Sequence, residues 1–113
     1  MKIVFLGTNG WYDSDTGRTV CALIDAPEGY IVLDAGFGLA KLEKHIREDK
    51  PIFLFISHFH LDHICGLHAL VQFNFGQPLT IFYPKAMKKY FKTFTNHPFM
   101  APFELNSFET KAV

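Results

Sequence analysis

The segment between residues 51 and 71 constrains the fold of this chain more than any other stretch. The run Ile52 to Ile56 is apolar at every position, which is typical of a strand covered on both faces. A second apolar run, Ile64 to Val71, predicts a buried helix. Between the two runs lies the polar sequence Ser57-His58-Phe59-His60-Leu61-Asp62-His63. A buried strand that leads through a polar turn into a buried helix predicts a layered domain of sheet and helices.

The polar turn carries four potential metal ligands in the pattern H-x-H-x-D-H. In an extended chain His58 and His60 point to the same side, and together they could hold one borderline-soft cation. Asp62 and His63 follow in the turn and could hold a second. The alternative is a pair of exposed histidines, with Asp62 acting as the N-cap of the next helix. Half of the six histidines cluster here, which favours the metal site.

Hydrophobic periodicity predicts five strands and three helices in one domain, residues 1–113. The predicted strands are Lys2–Leu6, Val20–Ala26, Tyr30–Leu33, Pro51–Ile56 and Leu79–Tyr83, and the predicted helices are Gly38–Glu48, Ile64–Phe73 and Lys85–Phe94. The fold class is α/β (α+β), a mixed β-sheet with helices on one face. Several strands are apolar on both faces, so we expect a partner to cover the other face, either the remainder of a longer gene product or a second copy.

The loop after the first strand is rich in glycine and aromatic residues. Gly7-Thr8-Asn9-Gly10 predicts a turn with positive φ or a close backbone approach. Trp11 and Tyr12 follow, and we expect them to plug the core, with the lining of a substrate cleft as the alternative. Near the other end of the chain, Phe103-Glu104-Leu105 begins a weak alternation.

Composition narrows the choice of partners and compartment. Lysine plus arginine balance aspartate plus glutamate, 11 against 11, so no net field draws the chain to nucleic acid or a membrane. We expect a cytoplasmic protein with no membrane contact, because no signal peptide or membrane-spanning segment is predicted. Cys21 and Cys65 lie in apolar segments and are predicted to be buried free thiols.

The H-x-H-x-D-H stretch after an apolar strand resembles the metallo-β-lactamase superfamily of metal-dependent hydrolases. Phe5-Leu6-Gly7-Thr8, Arg18 and Ile31-Val32-Leu33-Asp34-Ala35-Gly36 occur in the order found in phosphodiesterase branches such as ribonuclease Z. That family folds as an αββα sandwich in which two sheets pack face to face. The resemblance covers its N-terminal half, so it implies that the C-terminal half is missing from this chain.

The resemblance also implies a site. His58 and His60 correspond to ligands of a first zinc ion, and Asp62 and His63 to ligands of a second. Asp34 corresponds to the carboxylate that steadies the ligand loop, although from the residues alone it could equally be a strand-end turn residue. The family's two zinc ions share a hydroxide that attacks the substrate, and Asp62 would be catalytic by orienting this water.

Other residues bear on the chemistry and on the number of ligands. The flavodiiron branch has glutamate at the position of His60, so histidine favours zinc chemistry over oxygen reduction. Leu61 stands where ribonuclease Z usually has glycine. The other histidines, His45, His68 and His97, match no ligand motif and are expected to be structural or on the surface.

Three functional hypotheses follow. The first is a zinc-dependent hydrolase of small-molecule or nucleic-acid phosphodiesters, with thioester and lactam hydrolysis as further members of the same class. The second is a truncated, non-catalytic remnant or interaction module that binds metal weakly. The third is a homodimer in which each partner lends a ligand such as His97.

Overall fold

The computed structural model describes residues 1–103 and 108–113. The alternation predicted at Phe103-Glu104-Leu105 lies outside the described residues, apart from Phe103.

The chain forms one mixed sheet whose strands lie side by side in chain order. The strands are β1 (Lys2–Gly7), β2 (Cys21–Ala26), β3 (Gly29–Leu33), β4 (Ile52–Phe55), β5 (Leu79–Tyr83) and β6 (Glu109–Ala112). The first three are antiparallel neighbours, and β3 to β6 run parallel. In the β2–β3 hairpin Ala26 pairs with Gly29, so the connection is the two residues Pro27 and Glu28 rather than the predicted three.

All five predicted strands are confirmed, and β6 was not predicted. Its side chains Glu109, Thr110 and Lys111 are exposed, so it lacks the apolar alternation that reveals a half-buried strand. It lies at the edge of the sheet, where charged residues are common because they discourage pairing with another chain.

Within the described residues the α-helices are α1 (Leu61–Ile64) and α2 (Lys88–Phe94), and the other helical turns are 3-10 segments at Phe37–Lys41, Glu43–His45, Leu67–Gln72 and Lys85–Met87. The predicted helices Gly38–Glu48 and Ile64–Phe73 are wrong in length, because each is divided. The predicted helix Lys85–Phe94 is confirmed, with a 3-10 turn that continues into α2. Gly66 separates α1 from the next turn because its N–H donates to the carbonyl of Ala35, 2.8 Å away, instead of continuing the helix. A Cβ at Gly66 would clash with the carbonyl oxygen of Gly36, so the close approach requires glycine.

A close backbone approach also occurs at Gly7. A Cβ there would overlap the carbonyl oxygen of Thr19, whereas Gly10 has open space around it. No described glycine has a positive φ. The first of the two explanations for this glycine-rich turn, a positive φ at glycine, is therefore wrong, and the close approach is confirmed at Gly7.

The core lies on one face of the sheet. Leu23, Val32, Leu54 and Ile81 project from neighbouring strands to this face and are at most 1% exposed. Leu39, Leu67 and Leu70 from the helical turns pack against it and are fully buried. The predicted arrangement, a mixed sheet with helices on one face, is confirmed.

The opposite face presents two apolar rows. Strand pairing aligns one row as Ile3, Ile24, Ile31 and Phe53, and the other as Phe5, Ala22, Leu33, Phe55 and Phe82. Phe5 is 71% exposed and Phe55 40% exposed, so the described part of the chain leaves this face largely uncovered. We call these two rows the open face.

None of the helices in the described ranges is long and apolar enough to cross a bilayer.

Candidate metal centre

The ligand stretch begins where β4 ends. β3 and β4 are parallel neighbours with Leu33 opposite Phe55, so Asp34 and the residues after Phe55 emerge at the same edge of the sheet. The Asp34 N–H donates to the carbonyl of Phe55 at 2.8 Å, and the Ile56 N–H to that of Phe82 at 2.9 Å. These bonds hold the start of the stretch against two neighbouring strands. The carboxyl ends of parallel strands are a common place for binding sites in α/β proteins.

Asp34 contacts both ends of the ligand stretch, at Ser57 and at His63. Its backbone is in the left-handed region, with φ of 62°, which aspartate tolerates better than most residues. Its Oδ1 accepts hydrogen bonds from the N–H and the hydroxyl of Ser57, both at 2.8 Å. Its Oδ2 lies 3.1 Å from His63 Nδ1. The alternative that Asp34 is only a turn residue does not account for these contacts with both ends of the stretch.

Ser57 determines which nitrogen of His58 is free. Its hydroxyl proton is directed to the Asp34 carboxylate, so the Ser57 oxygen is left to accept a hydrogen bond. That oxygen lies 2.9 Å from His58 Nδ1, which places the imidazole proton on Nδ1. The lone pair of Nε2 is then available for a metal ion, as in sites where a carboxylate orients a ligating histidine.

His63 and Asp62 face each other at the start of α1. His63 Nε2 lies 3.6 Å from Asp62 Oδ2. His63 Nδ1 is buried and, despite its 3.1 Å distance from Asp34, makes no hydrogen bond. The ring therefore has one nitrogen directed at the anchoring carboxylate and the other at a second potential ligand.

The histidine rings form one cluster. The His58 ring centroid lies 4.7 Å from that of His60 and 4.1 Å from that of His63. The structure thus brings together the four side chains that the sequence predicts as ligands. Their assignment as metal ligands remains a prediction.

Asp62 is not the helix N-cap that the alternative explanation required. His60 occupies that position, and no side chain caps the helix. Instead Asp62 Oδ2 accepts a 2.8 Å hydrogen bond from the Trp11 N–H. This bond, with smaller contributions from His63 and His60, holds the pKa of the Asp62 carboxyl below its ordinary value.

The donor set fits zinc in chemistry but is short in number. Imidazole nitrogens with a fixed tautomer and an ionised carboxylate are ordinary zinc ligands. The Nδ1 atom of His63 is buried and makes no hydrogen bond to the described residues. A hydrogen bond at this nitrogen therefore does not fix the orientation of the ring. Within residues 1–103 and 108–113, however, no three His, Cys, Asp or Glu side chains are positioned to hold one ion. The assignment of two donors to each of two ions stays a prediction.

The prediction that Trp11 and Tyr12 plug the core is wrong. Trp11 is 86% exposed and Tyr12 is 70% exposed. Trp11 also has a left-handed backbone, with φ of 74°. The hydrogen bond from Trp11 to Asp62 puts this loop at the candidate centre, which is the alternative that the sequence left open.

Sequence reasoning missed two contributors, Ser57 and the Trp11 N–H. Ser57 directly precedes the first histidine, and this adjacency is the signal that could have identified it. The Trp11 contact joins residues 51 positions apart, and no local pattern reports it.

The remaining predicted residues lie outside this cluster. His68 and His97 are exposed and His45 is half-buried. Within residues 1–103 and 108–113, none of the three has a hydrogen bond, ion pair or ring contact with the ligand stretch. Cys21 and Cys65 are free thiols, as predicted. The predicted burial is confirmed for Cys21 and wrong for Cys65, which is partly exposed.

Comparison with known proteins gives consistent matches. Residues 14–75, more than half of the chain, match the family model "Metallo-beta-lactamase superfamily". A ribonuclease Z from Thermococcus onnurineus is 35% identical over 90% of this chain and 35% of its own length. A ribonuclease BN from Citrobacter koseri is 30% identical over 82% of this chain and 34% of its own length.

Solved structures agree with the sequence matches. Human tRNase Z, short form, superposes on all of this chain and 44% of its own with a TM-score of 0.64 and 26% identity. The metallo-beta-lactamase fold protein YhfI from Bacillus subtilis reaches a TM-score of 0.65 at 22% identity, which indicates a shared fold. The chain spans about a third of the length of the curated relatives it matches.

Proposed function

This chain belongs to the metallo-β-lactamase superfamily and is ribonuclease Z-like, and on that premise we propose that it carries metal ligands of a zinc-dependent phosphodiester hydrolase. His58 and His60 would bind one zinc ion, and Asp62 and His63 a second. Residues 1–113 would form a single domain that corresponds to the N-terminal part of the family's fold. Because the chain spans about a third of its curated relatives, the activity of the whole protein is part of this proposal.

The observation that carries the proposal is the hydrogen-bonded network behind the ligands. Asp34 contacts Ser57 and His63, and Ser57 contacts His58. A carboxylate that orients a ligating histidine from the side opposite its free nitrogen, as Asp34 does for His58 through Ser57, is typical of metal sites. Surface histidines without a ligand role would not need such an arrangement.

The chain's own residues would act on water and on its proton. When bound, zinc lowers the pKa of water to about 7, which makes hydroxide available near neutral pH. Asp62 would orient the attacking water and take up its proton. The lowered pKa of the Asp62 carboxyl keeps it ionised, which suits the orienting role. The Trp11 N–H would hold that carboxylate in place. The substrate class would be small-molecule or nucleic-acid phosphodiesters, since the relatives are named ribonucleases.

A second candidate function is a non-catalytic remnant or interaction module that binds metal weakly. Two observations favour it. Within the described residues no three His, Cys, Asp or Glu side chains are positioned to hold one ion, and the open face could pack against another protein surface. A homodimer that completes the site by sharing His97 is also testable, because His97 is exposed.

A measurement of zinc binding by the chain, without an affinity tag, distinguishes these functions. We expect saturable zinc uptake in equilibrium dialysis, and His60→Ala should weaken it at least about tenfold, since loss of a ligand should cost no less than loss of its supporting partner. His68→Ala is the matched control because this exposed histidine packs against Phe37 instead. Hydrolysis of bis(p-nitrophenyl) phosphate should follow the same order.

Each alternative has its own outcome. Zinc uptake without phosphodiester hydrolysis would favour the binding module. Dimeric elution in gel filtration, with zinc lost in His97→Ala, would favour the shared site. Equal zinc uptake by wild type and His60→Ala would contradict all three assignments of the ligand stretch.

A further inference from the structure

Trp11 combines a constrained backbone with an exposed side chain. Among the described residues only two non-glycine residues have positive φ, Trp11 and Asp34. Both contact the ligand stretch, Asp34 through Ser57 and Trp11 through Asp62. Backbone strain of this kind persists only where the surroundings enforce it, and it is concentrated at functional sites.

The surrounding loop holds the Trp11 backbone in place. Asn9 Nδ2 donates to the carbonyl of Tyr12 at 3.3 Å and to Ser14 Oγ at 3.0 Å. The Tyr12 N–H donates to the carbonyl of Gly10 at 2.9 Å. At the end of the loop the Thr19 N–H donates to Asp13 Oδ1 at 2.7 Å. The loop is therefore ordered by its own polar contacts, and burial of the indole is not what holds it.

The indole forms one wall of a cavity beside the ligands. This cavity, about 380 Å3 in volume, is lined by Trp11, His60, Leu61 and Asp62. Leu61 is 72% exposed, so two apolar side chains flank two candidate ligands. A smaller cavity of about 150 Å3 continues past Trp11 and Leu61 toward Tyr12 and Phe37.

A nucleotide phosphodiester carries a planar base next to its phosphate. This base fits against the apolar, planar wall that Trp11 forms beside the proposed phosphodiester site. Bases stack on exposed aromatic side chains, and this stacking tolerates any base because each has a π-face. We propose that Trp11 is a stacking platform for the nucleobase next to the scissile phosphate, with Leu61 as the flanking apolar contact. The inference rests on the proposed phosphodiester hydrolysis and narrows its substrate to nucleotides.

The chain offers a direct probe, because Trp11 is its one tryptophan. A five-nucleotide oligoadenylate, titrated in EDTA, should quench the Trp11 emission saturably. An abasic oligonucleotide of the same length, which keeps the phosphates, should not. Quenching that rises linearly, as for free N-acetyltryptophanamide, or that is equal for both oligonucleotides would overturn the proposal.

Variants separate the ring from the backbone. In anisotropy titrations with labelled oligoadenylate, Trp11→Ala should raise Kd roughly 5- to 150-fold, the range measured for loss of one base-stacking partner. Trp11→Phe should retain most of the affinity. Glycine tolerates the positive φ, and the Trp11→Gly variant keeps the backbone N–H that donates to Asp62. This variant should therefore bind the oligonucleotide as weakly as Trp11→Ala does. Wild-type affinity in Trp11→Gly would overturn the proposal.

The control is Tyr90→Ala, which removes a 59% exposed aromatic ring on α2. It should leave Kd unchanged, and an equal loss in this variant would indicate general aromatic adhesion and overturn the proposal. Because the titrations contain no metal, their result is independent of hydrolysis. Base-dependent binding without hydrolysis would contradict the proposed function alone. Hydrolysis without base-dependent binding would contradict the stacking site alone.

Discussion

At the scale of single residues, two positions beside the ligand stretch have a backbone conformation that is less stable than the usual ones. Asp34 and Trp11 have left-handed backbones, each at a cost of about 1–3 kcal/mol. Both use this geometry to direct a polar group at the ligand stretch. The sequence predicts which side chains cluster in the ligand stretch, because histidine and aspartate at close spacing are informative in themselves, and their role as metal ligands stays a prediction. It does not reveal which backbone groups support them, because those contacts are long-range.

Cys21 provides a pH-dependent test of burial. Burial raises the pKa of its thiol from 9.0 to about 12, with a smaller contribution from the negative charge of Asp34. The unfolded chain therefore loses this proton near pH 9 while the folded chain keeps it. The thiol's contribution to stability is fully present below pH 9 and is lost as pH rises toward 12.

The Cys21→Ala variant should remove this pH dependence. Between pH 8 and pH 10 the free energy of unfolding of the wild type should fall by about 1 kcal/mol more than that of the variant. Urea unfolding at the two pH values measures the difference. Cys65→Ala, at the partly exposed cysteine, should keep the wild-type dependence, and an equal slope in all three proteins would contradict the assignment.

At the scale of elements, the site is a junction of three. Asp34 directly follows β3, β4 leads into Ser57, and α1 contains Asp62 and His63. The parallel pairing of β3 and β4 brings the first two ends together. Gly66 lets the segment after α1 approach the backbone of Ala35 and Gly36. This junction also explains why the predicted long helix is divided, since periodicity reports burial and not the direction of an N–H group.

The Ser57 hydroxyl is the link between Asp34 and His58, and its removal tests the junction. Ser57→Ala should weaken zinc binding about 10- to 100-fold, because His58 loses the partner that sets its tautomer. Stability should change little because Ser57 is exposed. Equilibrium dialysis and urea unfolding measure the two effects.

The matched control for this link is Ser57→Thr, which keeps a hydroxyl at the same position. It should restore most of the zinc affinity. If Ser57→Ala bound zinc as well as the wild type, the tautomer argument for His58 would be wrong.

At the scale of the whole molecule, the sheet is covered on one side only within the described residues. The open face includes Phe5, Leu33 and Phe55, each at least 40% exposed. Phe55 stacks on Phe82 with ring centroids 4.6 Å apart, so the face is ordered as well as apolar. Contiguous apolar surface of this kind usually packs against another protein surface.

Negative charges introduced on the open face should weaken the binding of apolar molecules, including other copies of the chain, to this face. The double variant Phe5→Glu and Phe55→Glu should bind less anilinonaphthalene sulfonate and self-associate less in sedimentation velocity. The stability cost should be about 1 kcal/mol, mainly from the lost Phe55–Phe82 stacking.

Tyr90→Glu changes an exposed aromatic on α2 instead and is the matched control. It should leave dye binding and sedimentation unchanged. If it reduced dye binding as much as the double variant does, the open face would not be the main apolar surface of this chain.

Five of the six strands, the clustering of the histidines with Asp62 and the uncovered face could be predicted from the sequence alone. Apolar periodicity and the H-x-H-x-D-H spacing are local, and local patterns are visible without coordinates. Only the tertiary structure decided the tautomer of His58, the contact of Trp11 with Asp62 and the exposure of Trp11 and Tyr12. These features depend on side chains and backbone groups far apart in the chain, and their positions are set by how the strands and turns pack together. The stretch from His58 to His63 supplies the side chains of the proposed site, and the residues that fold around it determine how these side chains are oriented.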